Sequence, residues 1–153
     1  MKYCIAFFSI FLLISCNNKE SEIQQRSFDV LKSLDTLSYD QYFKEYFSLE
    51  DYKALAVNKN IDKTYKDEIL AVTDYQWNRF REREYENFKE RGKENEIVWN
   101  NIEFVSFTYE KNVSYGLDCL DGTIYFRHND ILYETRIYTI FDGDTYQIFG
   151  LKM

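Results

Sequence analysis

The spacing of apolar residues changes once along this chain, near residue 95, and that change limits the folds it can adopt. Before residue 95, apolar residues recur every three or four positions, which is typical of helices that bury one face. After it they alternate with other residues, most clearly over 131–141, which is typical of strands. Helices followed by a run of strands predict an α+β domain in which the helices cover one face of a sheet.

The first half predicts several helical segments separated by polar breaks. Helical spacing covers 22–37, 39–47, 48–56 and 62–91, and a break falls at 58–60. Ser48 and Asp62 are good N-caps for the third and fourth segments, and Gly92 ends the last one. The charges from Arg79 to Glu96 alternate in sign, which we interpret as a solvated helix face.

The second half predicts four strands joined by short turns. The strands cover 102–109, 117–126, 131–141 and 146–151. His128-Asn129-Asp130 and Asp142-Gly143-Asp144 have the composition of hairpin turns, and Asp121-Gly122 indicates a bulge or bend within the second strand. Such short connections predict a four-stranded antiparallel meander. We therefore expect a single α+β domain over 23–153, with helices over about 22–91 and strands over about 102–151.

The first residues of the chain have the pattern of a targeting leader. Lys2 precedes an apolar run over 5–14, which is about half the ~20 residues that a membrane-spanning helix needs. Leu13-Ile14-Ser15-Cys16 resembles the lipobox of bacterial lipoproteins. The resemblance implies that residues 1–15 are a signal peptide, cut between Ser15 and Cys16, and that the Cys16 thiol carries lipid. The alternative is an ordinary signal peptide, or a buried N-terminal helix, with a chance cysteine.

The resemblance also implies a location. Residues 16–22 would be a polar tether, and the mature protein would be lipid-anchored in the cell envelope, where we expect the outer membrane and leave its periplasmic or surface face open. Lys19 and Glu20 resemble the charged surface-export signals of Bacteroidota lipoproteins, and a solvated linker explains them equally well. The net charge of −7 repels phosphate backbones and anionic lipid headgroups. We therefore expect no nucleic-acid partner, and membrane attachment through the lipid.

The mature domain resembles small cystatin-like and nuclear-transport-factor-like lipoproteins of Bacteroidota. The resemblance lies in the order of elements and in the final hairpin over 141–148, where an aromatic residue, Tyr146, follows a turn that contains glycine. It implies helices packed on a curved sheet.

The sequence contains no set of residues that we assign to catalysis. The lone histidine, His128, has Asp130 nearby but no nucleophile motif, and a histidine in a turn is usually exposed. Cys119 would be the only cysteine left beside Cys16 in the mature chain, so no zinc-binding pattern or internal disulfide is expected. We predict a small buried side chain for Cys119, and neither a metal site nor a cofactor.

The leading hypothesis is a non-enzymatic lipoprotein that binds an envelope protein or a small ligand on its sheet. Tyrosine suits such contacts because it combines an apolar ring with a polar tip. Tyr125, Tyr138 and His128 are the candidate ligand contacts. One alternative is an enzyme that uses a concave sheet as its pocket. Another is an inhibitor or immunity lipoprotein that masks a toxin with its acidic surface.

Overall fold

A computed structural model describes residues 19–57 and 61–153. Within them, five α-helices precede four β-strands, as the α+β prediction requires. The helices are α1 (Lys19–Lys32), α2 (Tyr39–Phe43), α3 (Leu49–Leu55), α4 (Lys63–Ala71) and α5 (Asp74–Glu94). A 3-10 turn at Trp99–Asn101 leads into β1 (Glu103–Ser114), β2 (Leu117–His128), β3 (Ile131–Phe141) and β4 (Tyr146–Lys152). Ser15, Cys16 and the predicted break at 58–60 lie outside the described residues.

Polar side chains at the helix starts explain where the helices begin. The predicted caps Ser48 and Asp62 are confirmed, since each side chain accepts backbone N–H groups of the helix that follows. The single helix predicted over 62–91 is wrong, because the chain divides it into α4 and α5. The Thr73 side chain accepts the N–H of Gln76, and the Gln76 side chain accepts the N–H of Thr73. This reciprocal capping box starts α5, which continues past its predicted end at Gly92 to Glu94.

Helix α1 starts earlier than the sequence pattern predicts. Residues 19–22, assigned above to the tether, form its first turn. Two of them, Glu20 and Glu22, are acidic, and negative charge stabilises the N-terminal end of a helix dipole. The helix also ends at Lys32, short of the predicted residue 37.

The strands form one antiparallel sheet in the order β1-β2-β3-β4, which confirms the predicted meander. Asn129 and Asp130 join β2 to β3 with φ values of 49° and 63°, the left-handed conformations of a two-residue hairpin turn. His128 is therefore the last residue of β2 and not a turn residue. Tyr115 and Gly116 form a similar turn between β1 and β2, which the sequence pattern did not predict.

The bulge predicted at Asp121-Gly122 is wrong. Gly122 pairs regularly with Tyr109 on one side and with Ile137 on the other. Its lack of a side chain serves packing, because a Cβ atom there would collide with the ring of Phe107. The register shifts lie elsewhere, between Phe104 and Ser106 in β1 and opposite Tyr138 and Thr139 in β4.

Two apolar cores lie on opposite faces of the sheet. The larger core joins α1, α2 and α5 to the face that carries Leu120 and Ile124, called the inner face below. The smaller core joins α3 and α4 to Cys119 and Ile140. Successive strand residues point to opposite faces, so Cys119 lies on the other side of the sheet from Leu120. This outer face is covered at one end only, and the expectation that the helices cover a single face is corrected for α3 and α4.

Candidate functional site

The sheet has two edges, which differ in how their backbone groups are bonded and covered. β1 lies at one edge and β4 at the other. A strand at an edge has one row of backbone N–H and C=O groups without a neighbouring strand, and those groups need other partners. At β4 other parts of the chain bond to these edge groups and cover them. The first lies just before α3, where the N–H of Phe47 donates to the carbonyl of Ile148 at 2.9 Å.

Two side chains of α5 continue the cover along β4. The Nη1 atom of Arg81 donates to the carbonyl of Phe149 at 2.5 Å. The Oε1 atom of Glu84 accepts the N–H of Leu151 at 3.2 Å. Arg81 and Glu84 are one helical turn apart, so both project from the same side of α5. They supply the donor and the acceptor that a further strand would otherwise offer to β4.

The groups that cover β4 are buried. Arg81 is 2% exposed and Glu84 is 9% exposed. The hydroxyl of Tyr42 donates to Glu84 Oε1 at 3.4 Å, and that of Tyr46 donates to Tyr42 at 2.5 Å. Burial raises the pKa of Glu84, although hydrogen bonds and the charge of Arg81 oppose this shift. Burial also lowers the pKa of Arg81 and raises the pKa values of both tyrosines.

Aromatic rings surround the guanidinium group of Arg81. Its Cζ atom lies 4.6 Å from the ring centre of Trp77 and 4.8 Å from that of Tyr46. Such cation–π contacts offset part of the cost of burying the charge. The prediction of a solvated face over 79–96 is therefore wrong for Arg81 and Glu84. The sequence did hold a signal, because Glu84 lies midway between Phe80 and Phe88 on the apolar stripe.

Within residues 19–57 and 61–153, no buried side chain bonds to the edge backbone of β1 in this way. All of its residues are exposed except Phe107 and Ser114, which are half-buried. Among the described residues, the backbone of β1 forms hydrogen bonds only with β2. Its outward N–H and C=O groups are therefore available along a strand of 12 residues. An edge of this length is a template for another extended chain.

Apart from Lys111, the inner-face side chains of β1 are apolar and incompletely covered. Phe104 is 40% exposed, Tyr109 is 43% exposed and Val113 is 69% exposed. Phe104 packs edge-on against Phe28 of α1 with ring centres 5.5 Å apart. Phe107 and Tyr109 stack on each other at 5.5 Å. An added strand would therefore extend an apolar surface that already continues from the larger core to the edge.

The outer face of β1 is polar and acidic. Glu110 lies directly opposite Asp121 of β2, so two carboxylates occupy one cross-strand pair. Like charges in this position are unfavourable. Asp121 accepts a hydrogen bond from the side chain of Asn112 at 2.8 Å, and neither carboxylate has an ion-pair partner among the described residues. At the start of the strand, Glu103 instead lies opposite Arg127.

The residues predicted as ligand contacts do not form one site. Tyr125 and Tyr138 are both half-buried on the outer face. Tyr138 lines a hollow of about 420 Å³ beside the β1–β2 turn, together with Asp121 and Tyr115. The expectation that His128 is exposed is wrong, because it is 5% exposed and its Nε2 atom accepts the N–H of Val98 at 3.3 Å. This bond gives His128 a structural role at the end of β2.

The prediction that Cys119 is a small buried side chain is confirmed. Cys119 is free and buried, and burial raises the pKa of its thiol, which lowers its reactivity. No three metal-ligand side chains gather at one point in the described part of the chain. None of the described helices is long and apolar enough to cross a membrane. Comparison with protein-family models, curated proteins and solved structures found no match.

Proposed function

We propose that this chain is a lipid-anchored envelope protein that binds another protein by adding one of its strands to β1. The observation that carries the proposal is the contrast between the two sheet edges. Buried side chains cover the backbone of β4, whereas the backbone of β1 has no partner beyond β2 in the described residues. In strand addition, main-chain hydrogen bonds provide affinity, and alternate side chains provide specificity.

The proposed lipid would hold this edge close to the membrane. Cys16 precedes Lys19, the first residue of α1, by three positions, and an extended chain spans at most about 3.6 Å per residue. The lipid and the domain would therefore lie within about 11 Å of each other. Glu20 in the first turn of α1 forms an ion pair with Lys111 of β1. The second half of β1 therefore lies beside the first turn of α1, which the proposed lipid would precede.

A photo-reactive residue in β1 tests strand addition in intact envelopes. We expect a protein adduct when the label replaces Val113, on the open edge. We expect none when it replaces Leu132, which is 56% exposed but lies within β3. Adding the purified partner should then slow hydrogen exchange at alternate amides of β1. Equal adducts at both positions, or slowed exchange confined to other strands, would contradict the proposal.

The anchor has its own test, which is independent of the partner. Cells grown with a palmitate analogue should label the wild-type chain, and the Cys16→Ala variant should carry no label. The Cys119→Ala variant is the matched control, because it removes a cysteine that is buried in the fold. Labelling of Cys16→Ala at the wild-type level would contradict lipidation at this residue.

A further inference from the structure

We infer that the partner strand is apolar on the side facing α1 and places a lysine or arginine opposite Glu110 on the other side. This inference rests on the proposed strand addition at β1 and specifies the chemistry of the partner. It comes from the two faces of β1, because the side chains of an added strand continue the faces of the sheet they join.

The inner face of β1 determines which side of the partner strand is apolar. Tyr109 and Val113 both retain large exposed fractions at the edge, and Phe107 lies between Tyr109 and the core. Residues of an added strand that point to this side would pack directly against these side chains. Apolar residues there would remove exposed apolar surface from water. Charged residues would lose hydration without gaining a free partner, because the charged side chain of β1 on this face, Lys111, already pairs with Glu20.

The outer face of β1 determines the charge on the other side of the partner strand. Glu110 and Asp121 oppose each other, and no basic side chain pairs with either of them among the described residues. A cation directly opposite Glu110 on an added strand would replace this repulsion with attraction. An acid in the same place would put three carboxylates in one cross-strand row. Near Glu103 the requirement is weaker, because Arg127 already faces it.

A second copy of this chain does not meet the requirement. The outer-face residues of β1 outside its register shift are acidic or neutral, so another β1 presents no base to Glu110. Lys111 is the only base in β1, and it lies on the inner face, where Glu20 already binds it. The net charge of −7 also opposes self-association. A separate protein with a basic strand fits this edge better than a homodimer.

Three twelve-residue peptides test the charge preference directly. Each alternates valine with threonine and carries one central lysine, threonine or glutamate at a threonine position. Binding to the full-length protein is followed by fluorescence anisotropy at low salt. We expect the lysine peptide to bind about tenfold more tightly than the glutamate peptide, with the threonine peptide between them. The difference should shrink as salt screens the charges.

Two charge reversals on the protein locate the effect. Glu110→Lys should reverse the order of the peptides. Glu134→Lys changes the net charge equally, at an exposed position of β3 away from the edge, and should leave the order unchanged. If both reversals act alike, the preference is a general effect of protein charge and the inference is overturned.

The remaining outcomes separate this inference from the proposed function. If the three peptides bind equally and Val113→Lys weakens all of them, strand addition stands and the basic partner is overturned. If no peptide binds, strand addition itself is contradicted. A dimer in sedimentation equilibrium that Val113→Lys dissociates would overturn the basic partner in favour of a second copy.

Discussion

Each edge strand of this sheet has a row of backbone N–H and C=O groups without a neighbouring strand. In the described residues, these groups are bonded and covered at β4 and left exposed at β1. At β4, Arg81 and Glu84 are withdrawn from water and bonded to the strand backbone, although burying charged groups is costly. At β1, a longer strand keeps its backbone and much of its apolar surface exposed. Side chains can therefore cover an edge strand in this fold, and the exposed edge at β1 is where we expect a partner to bind.

The largest expected effect comes from removing the cover of β4. Arg81→Met keeps most of the side-chain volume but leaves Glu84 without its nearby buried charge and the carbonyl of Phe149 without its donor. We expect a loss of about 3–5 kcal/mol in the free energy of unfolding, measured by urea denaturation. Arg79→Met removes an exposed ion pair with Glu82 and should cost less than about 1 kcal/mol. Equal losses in the two variants would contradict the claim that the buried position of Arg81 makes it important for stability.

A second variant tests how β1 is attached to the rest of the sheet. Gly122→Ala places a methyl group against the ring of Phe107, so that either this ring or β1 itself must shift. We expect a loss of about 1–3 kcal/mol in the same measurement. In Gly150→Ala the new atom would lie 3.4 Å from the nearest oxygen of Glu84 and should cost less. A larger loss for Gly150→Ala would contradict this packing.

The pH dependence of stability tests the buried carboxyl group at β4. The pKa of Glu84 is raised in the folded protein, so protonation favours folding. Its contribution is complete below the unfolded pKa and is lost as the pH rises through the folded pKa. Wild type should therefore be more stable relative to Glu84→Gln at pH 4 than at pH 7. A constant difference across this range would show that Glu84 has no raised pKa.

The smallest effect on stability is expected at the open edge. Val113→Lys alters an exposed residue of β1, and Leu132→Lys makes a similar change within β3. Both should change the free energy of unfolding by less than about 0.5 kcal/mol. Only Val113→Lys should weaken partner binding, because a lysine at an edge opposes strand pairing. Severe destabilisation by Val113→Lys would indicate that this edge is part of the packed core.

Three of the four strands could be predicted well because their signals are local, whereas β1 continues to Ser114, five residues beyond its predicted end. Alternation and turn residues such as Asn129 and Asp130 depend only on near neighbours in sequence. The start of α5 is also a local signal, because Thr73 and Gln76 form a capping box. It was not predicted, because the helical spacing of apolar residues continues across the boundary between α4 and α5. Tyr115 was missed because a tyrosine rarely adopts a positive φ.

The covered edge could not be predicted in the same way. Arg81 and Glu84 look like ordinary surface charges until β4 is placed beside α5, which requires the tertiary structure. His128 was misjudged for a similar reason, since its partner, the N–H of Val98, comes from a distant part of the chain. The open edge is also a tertiary property, because it depends on what the other elements leave uncovered.

Amide hydrogen exchange on the free protein tests the contrast between the edges most directly. The N–H of Leu151 bonds to buried Glu84 and should exchange slowly, as core amides do. In β1, every second amide points away from β2 and should exchange nearly as fast as in an unstructured chain. Glu84→Ala should speed exchange at Leu151 and leave β1 unchanged. Outward amides of β1 that are as protected as that of Leu151 would contradict the open edge.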